Sequence, residues 1–138
     1  MPWPVRHISI AIPRSPADVY AFAAEPANLP RWAAGLASGL TPRADGAWVA
    51  ASPMGEVVVR FAPRNSLGVL DHDVTLPTGE TVTNPLRVVP NSDGAEVVFT
   101  LFQRTGMTDD ELARDEAAVR RDLETLRAIL IASLTDRT

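Results

Sequence analysis

The chain has no cysteine and no lysine in its 138 residues. Without a thiol there is no cysteine nucleophile, no CxxC redox pair and no thiolate zinc site. Without lysine there is no Schiff-base chemistry and no phosphate-binding P-loop lysine. Every basic side chain is Arg or His. No apolar run approaches the ~20 residues needed to cross a bilayer, so membrane insertion is not expected. Met1-Pro2-Trp3-Pro4 does not open a basic region followed by an apolar core. No secretory signal is read there, and the cytoplasm is the expected compartment. GxGxxG, P-loop and HExxH motifs are missing, and the two histidines are isolated, so neither cofactor nor metal is expected. A net charge of −4 argues against a nucleic-acid surface. Internal repeats, low-complexity tracts and linkers are also lacking.

What is present reads as one domain over residues 1–138, a size that buries a sufficient core without staples. Residues 5–12 alternate, with Ile8, Ile10 and Ile12 on one face and His7, Ser9 and Ala11 on the other, as in a half-buried strand. His7 is expected to be exposed. Ser15-Pro16-Ala17-Asp18 is a helix start: Ser15 caps, Pro16 suits the first helical position and Asp18 the third. Pro26 stops that helix, and a second short one bent by Pro30 is expected over 27–32. From there to residue 104 the pattern predicts strands over 36–41, 47–52, 56–62, 67–76, 80–89 and 95–104, separated by turns rich in Gly, Pro, Asn and Asp. Connections this short imply antiparallel pairing.

The period changes after Met107. Thr108-Asp109-Asp110-Glu111 is a capping box. Leu112, Val119, Leu123, Leu126 and Leu130 follow at helical spacing, opposite Arg114, Arg120, Arg121 and Arg127. At 1.5 Å per residue, roughly 26 residues make a helix of roughly 39 Å, long enough to cross a sheet. The predicted architecture is α+β with the order β-α-α-β6-α, a helix-grip fold. A curved seven-stranded antiparallel sheet wraps the C-terminal helix and leaves a cavity between them.

The opening strand, then Pro13-Arg14-Ser15-Pro16-Ala17-Asp18-Val19-Tyr20-Ala21-Phe22 and Asn28-Leu29-Pro30-Arg31-Trp32, resembles the START-like (SRPBCC) ligand-binding superfamily. That group includes the birch-pollen-allergen fold, polyketide cyclases/dehydrases and lipid-transfer domains. Gly68 to Asp73 and Phe99 to Arg104 resemble a bacterial branch of it. The resemblance covers the whole chain and implies fold more than activity. It is compatible with three functions. One is binding of a small apolar or aromatic molecule of the lipid, polyketide or isoprenoid class. A second is a cyclase- or dehydratase-like enzyme using a cavity histidine. The third is an interaction module whose cavity is filled.

Strand alternation selects the candidate site residues. Leu70, His72, Val74 and Leu76 share the face expected to point inward, which makes His72 a candidate ligand group and acid or base. Asn84 falls opposite or diagonal to it across the hairpin, where a His72–Asn84 pair would orient the imidazole. Asp71 and Asp73 go to the outer face, and Arg87 is expected to pair with them there. Glu116 stands where the helix pattern expects an apolar residue, a second candidate acid or base at the cavity or its mouth. Asp115 and Asp122 are expected to be solvated or bonded to arginine. Trp32, Phe61, Phe99, Gln103, Val119 and Leu123 are candidate cavity residues. Trp48, Met54 and Met107 are further bulky candidates. The expected partner is a small apolar molecule, and the chain is expected to be a monomer or a homodimer through an exposed edge strand.

Overall fold

The computed structural model describes residues 1–36, 39–53 and 55–135. Strand β1 (Val5–Ile12) buries Ile8 and Ile12 and leaves His7, Ser9 and Ala11 exposed, as its alternation requires. The Ser15 hydroxyl caps α1 (Pro16–Ala23), accepting from the Asp18 N–H at 3.1 Å. The Asp18 carboxylate turns to Arg14 at 3.0 Å, so the capping box is half formed. A 3₁₀ turn (Pro26–Asn28) runs into the single-turn helix α2 (Leu29–Trp32), and a second 3₁₀ turn (Ala34–Leu36) follows.

The seven remaining strands pair antiparallel with their neighbours in chain order: β2 (Leu40–Pro42), β3 (Trp48–Ser52), β4 (Gly55–Phe61), β5 (His72–Thr75), β6 (Thr81–Asn84) and, after a break, β7 (Leu86–Asn91) with β8 (Gly94–Phe102). The strand expected over 36–41 begins only at Leu40; Leu36 belongs to the 3₁₀ turn, and residues 37 and 38 lie outside the described residues.

The expected seven-stranded sheet is corrected to eight strands in two sheets, ordered β1-β8-β7 and β2-β3-β4-β5-β6. The cause is Pro85. It has no N–H for the ladder, so the strand expected over 80–89 divides into β6 and β7. Register nevertheless runs through the break: His72 pairs with Asn84, and Val69 bridges Arg87 in the same alignment. Asp71 covers the gap. Its Oδ1 accepts from the Leu86 N–H at 2.9 Å and from Arg87 Nε at 2.8 Å, while Oδ2 accepts from Arg87 at 2.7 Å. The outer-face pairing of Arg87 with Asp71 is thus also a backbone patch. Gly68 allows the same segment to lie against β7. Its φ is +74°, and a Cβ there would overlap the carbonyl of Val88.

Helix α3 (Asp109–Thr135) closes the fold. Its capping box is complete: Glu111 N–H donates to the Thr108 hydroxyl at 3.1 Å, and Thr108 N–H to the Glu111 carboxylate at 3.2 Å. Leu112, Leu123, Leu126 and Leu130 are buried against Ile8, Ile12, Val88 and Val97 of the three-stranded sheet and Val19 of α1. Each such side chain contributes about 1.5–3 kcal/mol by leaving water. The five-stranded sheet carries a smaller core of Ala50, Val57 and Val59. Among the described residues no helix is long and apolar enough to cross a membrane.

Candidate functional site

Helix α3 packs closely on β1 but stands off from the strands on the far side, and a cavity of about 300 Å³ fills the space. Phe61 of β4, His72 of β5, Leu86 of β7 and Phe99 of β8 form its sheet wall. Val119, Asp122 and Leu123 of α3 form the helix wall. Tyr20 and Ala23 of α1, Leu29 and Trp32 of α2, and Leu36 close one end. Exposed Gly46 and Arg64 and half-buried Trp48 also line it.

His72 is where alternation places it. Its ring lies 5.9 Å from that of Phe61 and 6.5 Å from that of Phe99. Its Nδ1 lies 3.1 Å from the carbonyl oxygen of Leu70. A carbonyl only accepts, so Nδ1 carries the proton, and in the neutral ring Nε2 is an acceptor. Burial pushes the imidazole pKa below its usual value, against the opposing pull of the Leu70 carbonyl and of Asp71 and Asp73. The neutral ring is therefore the favoured form.

Asn84 sits directly across from His72 in register, on β6. It is not a lining residue, and the imidazole is oriented by Leu70, two residues back on its own chain segment, in place of the expected His72–Asn84 pair. Trp32, Phe61, Phe99, Val119 and Leu123 do line the cavity, brought together from four elements. Phe61, Phe99 and Trp48 border the space without filling it, which goes against the alternative of an interaction module with a filled cavity. Met107 packs on the main core away from the cavity, and Met54 lies outside the described residues. Gln103 is also elsewhere: its amide donates to the Met107 carbonyl at 3.1 Å and to Asp109 at 2.9 Å, fastening the start of α3.

Glu116 is not in the cavity. Its carboxylate pairs with Arg6 of β1 at 3.4 Å and with Arg120 at 3.9 Å, because α3 is rotated to put Val119, Asp122 and Leu123 inward. The acid of the cavity is Asp122, expected to be solvated or bonded to arginine. Its Oδ1 accepts from the N–H of Ala34 at 3.2 Å. Burial pushes its carboxyl pKa above the ordinary range, against the Ala34 hydrogen bond and the charge of Arg121. A signal for it exists in the sequence: Asp122 lies three residues after Val119 and four before Leu126, on the inward row. Trp32 adds one more polar group. Its indole N–H is buried and has no hydrogen-bond partner among the described residues.

A loop covers one side of this site. Asn65 organises it, donating to the carbonyls of Pro63 and Val69 and accepting from the N–H groups of Leu67 and Val69. The loop is clasped to α1 twice: Asn65 N–H donates to the Tyr20 hydroxyl at 3.0 Å, and Arg64 pairs with Glu25 at 3.4 Å just beyond the helix. Among the described residues no cluster of metal-ligating side chains is found.

Solved structures share this fold. XoxI from Bacillus cereus superposes with a TM-score of 0.73 at 14% identity, over 92% of this chain and 95% of its own. The Aha1 dimer from Colwellia psychrerythraea gives 0.73 at 14%, over 92% and 96%. Ara h 8.0201 gives 0.65 at 9%, over 94% and 98%. No curated protein sequence matches the chain. The family model for polyketide cyclase/dehydrase and lipid transport proteins matches residues 7–132, and the chain belongs to that family. The resemblance carried by its opening run is thereby confirmed.

Proposed function

We propose that this member of the polyketide cyclase/dehydrase and lipid transport family holds one small apolar or aromatic molecule in the cavity between sheet and helix. The observation that carries the reading is the cavity itself: about 300 Å³, walled by Trp32, Phe61, Phe99 and Leu123, with few polar groups. That is the composition of a small-molecule site, at the small end of the usual range. The family's description, lipid transport included, agrees with an apolar ligand. Native mass spectrometry of the protein from its own host, followed by organic extraction, tests it. A co-purifying apolar compound that is lost in folded Val119→Trp, which fills the cavity, is the expected result. Identical, empty spectra for both proteins, with no uptake from host extract, would sink the proposal.

Catalysis of the cyclase or dehydratase kind is the second reading. Neutral His72, with Nε2 left over beside the cavity, favours it, since that atom can take a proton from a bound substrate. His72→Ala then abolishes most turnover, whereas in a pure binder it lowers affinity only.

A further inference from the structure

The two walls of the cavity offer the same kind of hydrogen-bonding atom. On the sheet wall, Nδ1 of His72 gives its proton to Leu70, and the remaining Nε2 has no partner among the described residues. On the helix wall, Oδ1 of Asp122 is taken by the Ala34 N–H, and Oδ2 has no partner among the described residues. Both leftover atoms are acceptors: the lone pair of a neutral imidazole and a carboxylate oxygen. Neither can satisfy the other. A purely apolar ligand would strip water from both and return nothing, and an unpaired buried polar group is costly.

We infer that the cavity selects a compact ring compound carrying a hydroxyl at each end, one donating to Nε2 of His72 and the other to Oδ2 of Asp122. This rests on the binding reading above and assigns it a ligand class and a specificity residue, Asp122. The volume agrees. At about 300 Å³ the cavity is at the small end of the range for small-molecule sites, which suits a compact ligand. The ring faces have partners in Phe61, Phe99 and Trp32. A ligand oxygen that reached the Trp32 indole would also satisfy that orphan donor.

Calorimetric titration of the full chain with naphthalene, 2-naphthol, 2,7-dihydroxynaphthalene and decanoate tests the inference. The expected order is diol tightest, then naphthol, then naphthalene, with roughly tenfold in affinity for each hydroxyl. Asp122→Asn is the sharpest variant. Its amide oxygen keeps the Ala34 bond, which turns the NH₂ toward the ligand and replaces an acceptor by a donor. Both it and His72→Phe are expected to bind the diol about as weakly as the unaltered protein binds 2-naphthol. Equal binding of the three ring compounds by the unaltered protein overturns the inference and leaves cavity binding intact; this arm needs no variant to fold. A diol preference that survives in Asp122→Asn also overturns it. Tighter binding of decanoate than of any ring compound overturns the ring assignment, and binding of none of the four overturns the cavity reading as well.

Discussion

The guanidinium of Arg14 donates to the backbone carbonyl of Leu130 at 3.0 Å, fastening the end of β1 to the last turns of α3 across 116 positions. The same side chain pairs with Asp18 at 3.0 Å and is 6% exposed, the one buried charged residue among those described. It bonds the carbonyl end of a helix, where a cation is favoured by the dipole. Removing it takes this tie from the Leu130 carbonyl and leaves Asp18 without its ion pair. Arg14→Met is expected to lower the unfolding free energy by about 1.5–3 kcal/mol, the range for hydrogen bonds to charged groups. Urea denaturation measures this; a loss below about 0.5 kcal/mol would make Arg14 dispensable.

Gly68→Ala tests the junction between the two sheets. The residue has φ +74°, and an added Cβ meets the Val88 carbonyl, which cannot give way without disturbing β7. Backbone strain of this kind costs on the order of 1–3 kcal/mol. Gly79→Ala shares the positive φ but has open space around its Cβ, so it is expected to cost less. Matching urea midpoints for the two variants would rule out the close approach as a structural constraint.

His72 links stability to pH. Burial lowers its pKa in the folded state, so the unfolded chain binds the proton more readily. This residue's contribution is complete above the unfolded value of about 6.5 and is lost as pH falls below it toward the depressed folded value. Unfolding free energies from pH 7.5 down to 5.5 are expected to decline, and His72→Phe to flatten that decline. An unchanged slope in the variant would mean that another group carries it.

Asp71 acts at lower pH. Its hydrogen bond from Arg87, then that from the Leu86 N–H, hold its carboxyl below the ordinary aspartate value. The stabilisation is present above the unfolded value, about 3.9, and disappears as pH falls through the folded one. Asp71→Asn is therefore expected to destabilise at neutral pH and to lose that deficit in strong acid. A deficit independent of pH would point to shape in place of charge.

Tyr20→Phe removes the hydroxyl that accepts the Asn65 N–H and so opens one of two clasps on the loop beside the cavity. Faster hydrogen exchange confined to residues 63–70 is expected, with global stability lower by about 1 kcal/mol. Protection unchanged in that loop would assign the Tyr20 hydroxyl no structural role.

Much of the architecture was legible because it is local. Ser15 and Thr108 cap helices through atoms three residues away, and the alternation in β1 needs only a pleat. The same alternation placed His72 inside and sent Asp71 outward to Arg87. Pro85 was visible in the sequence, and its missing N–H is the reason that one long strand became two. The acid of the cavity was harder to read. Glu116 and Asp122 are six residues apart on one helix, close to the same apolar stripe, and periodicity alone ranks them almost equally.

Residue order by itself determined where the capped helices α1 and α3 begin, which faces are apolar, and that α3 must lie on a sheet. Those features follow from hydrogen bonds and side-chain periods within a few residues of each other. Only the tertiary structure decided the rotation of α3. Arg6 of β1 draws Glu116 out, while the Ala34 N–H after α2 receives Asp122. Both partners are distant in the chain, and a helix turns to whichever side best satisfies its buried polar groups and packs its leucines. That balance exists only once sheet, short helices and long helix have met.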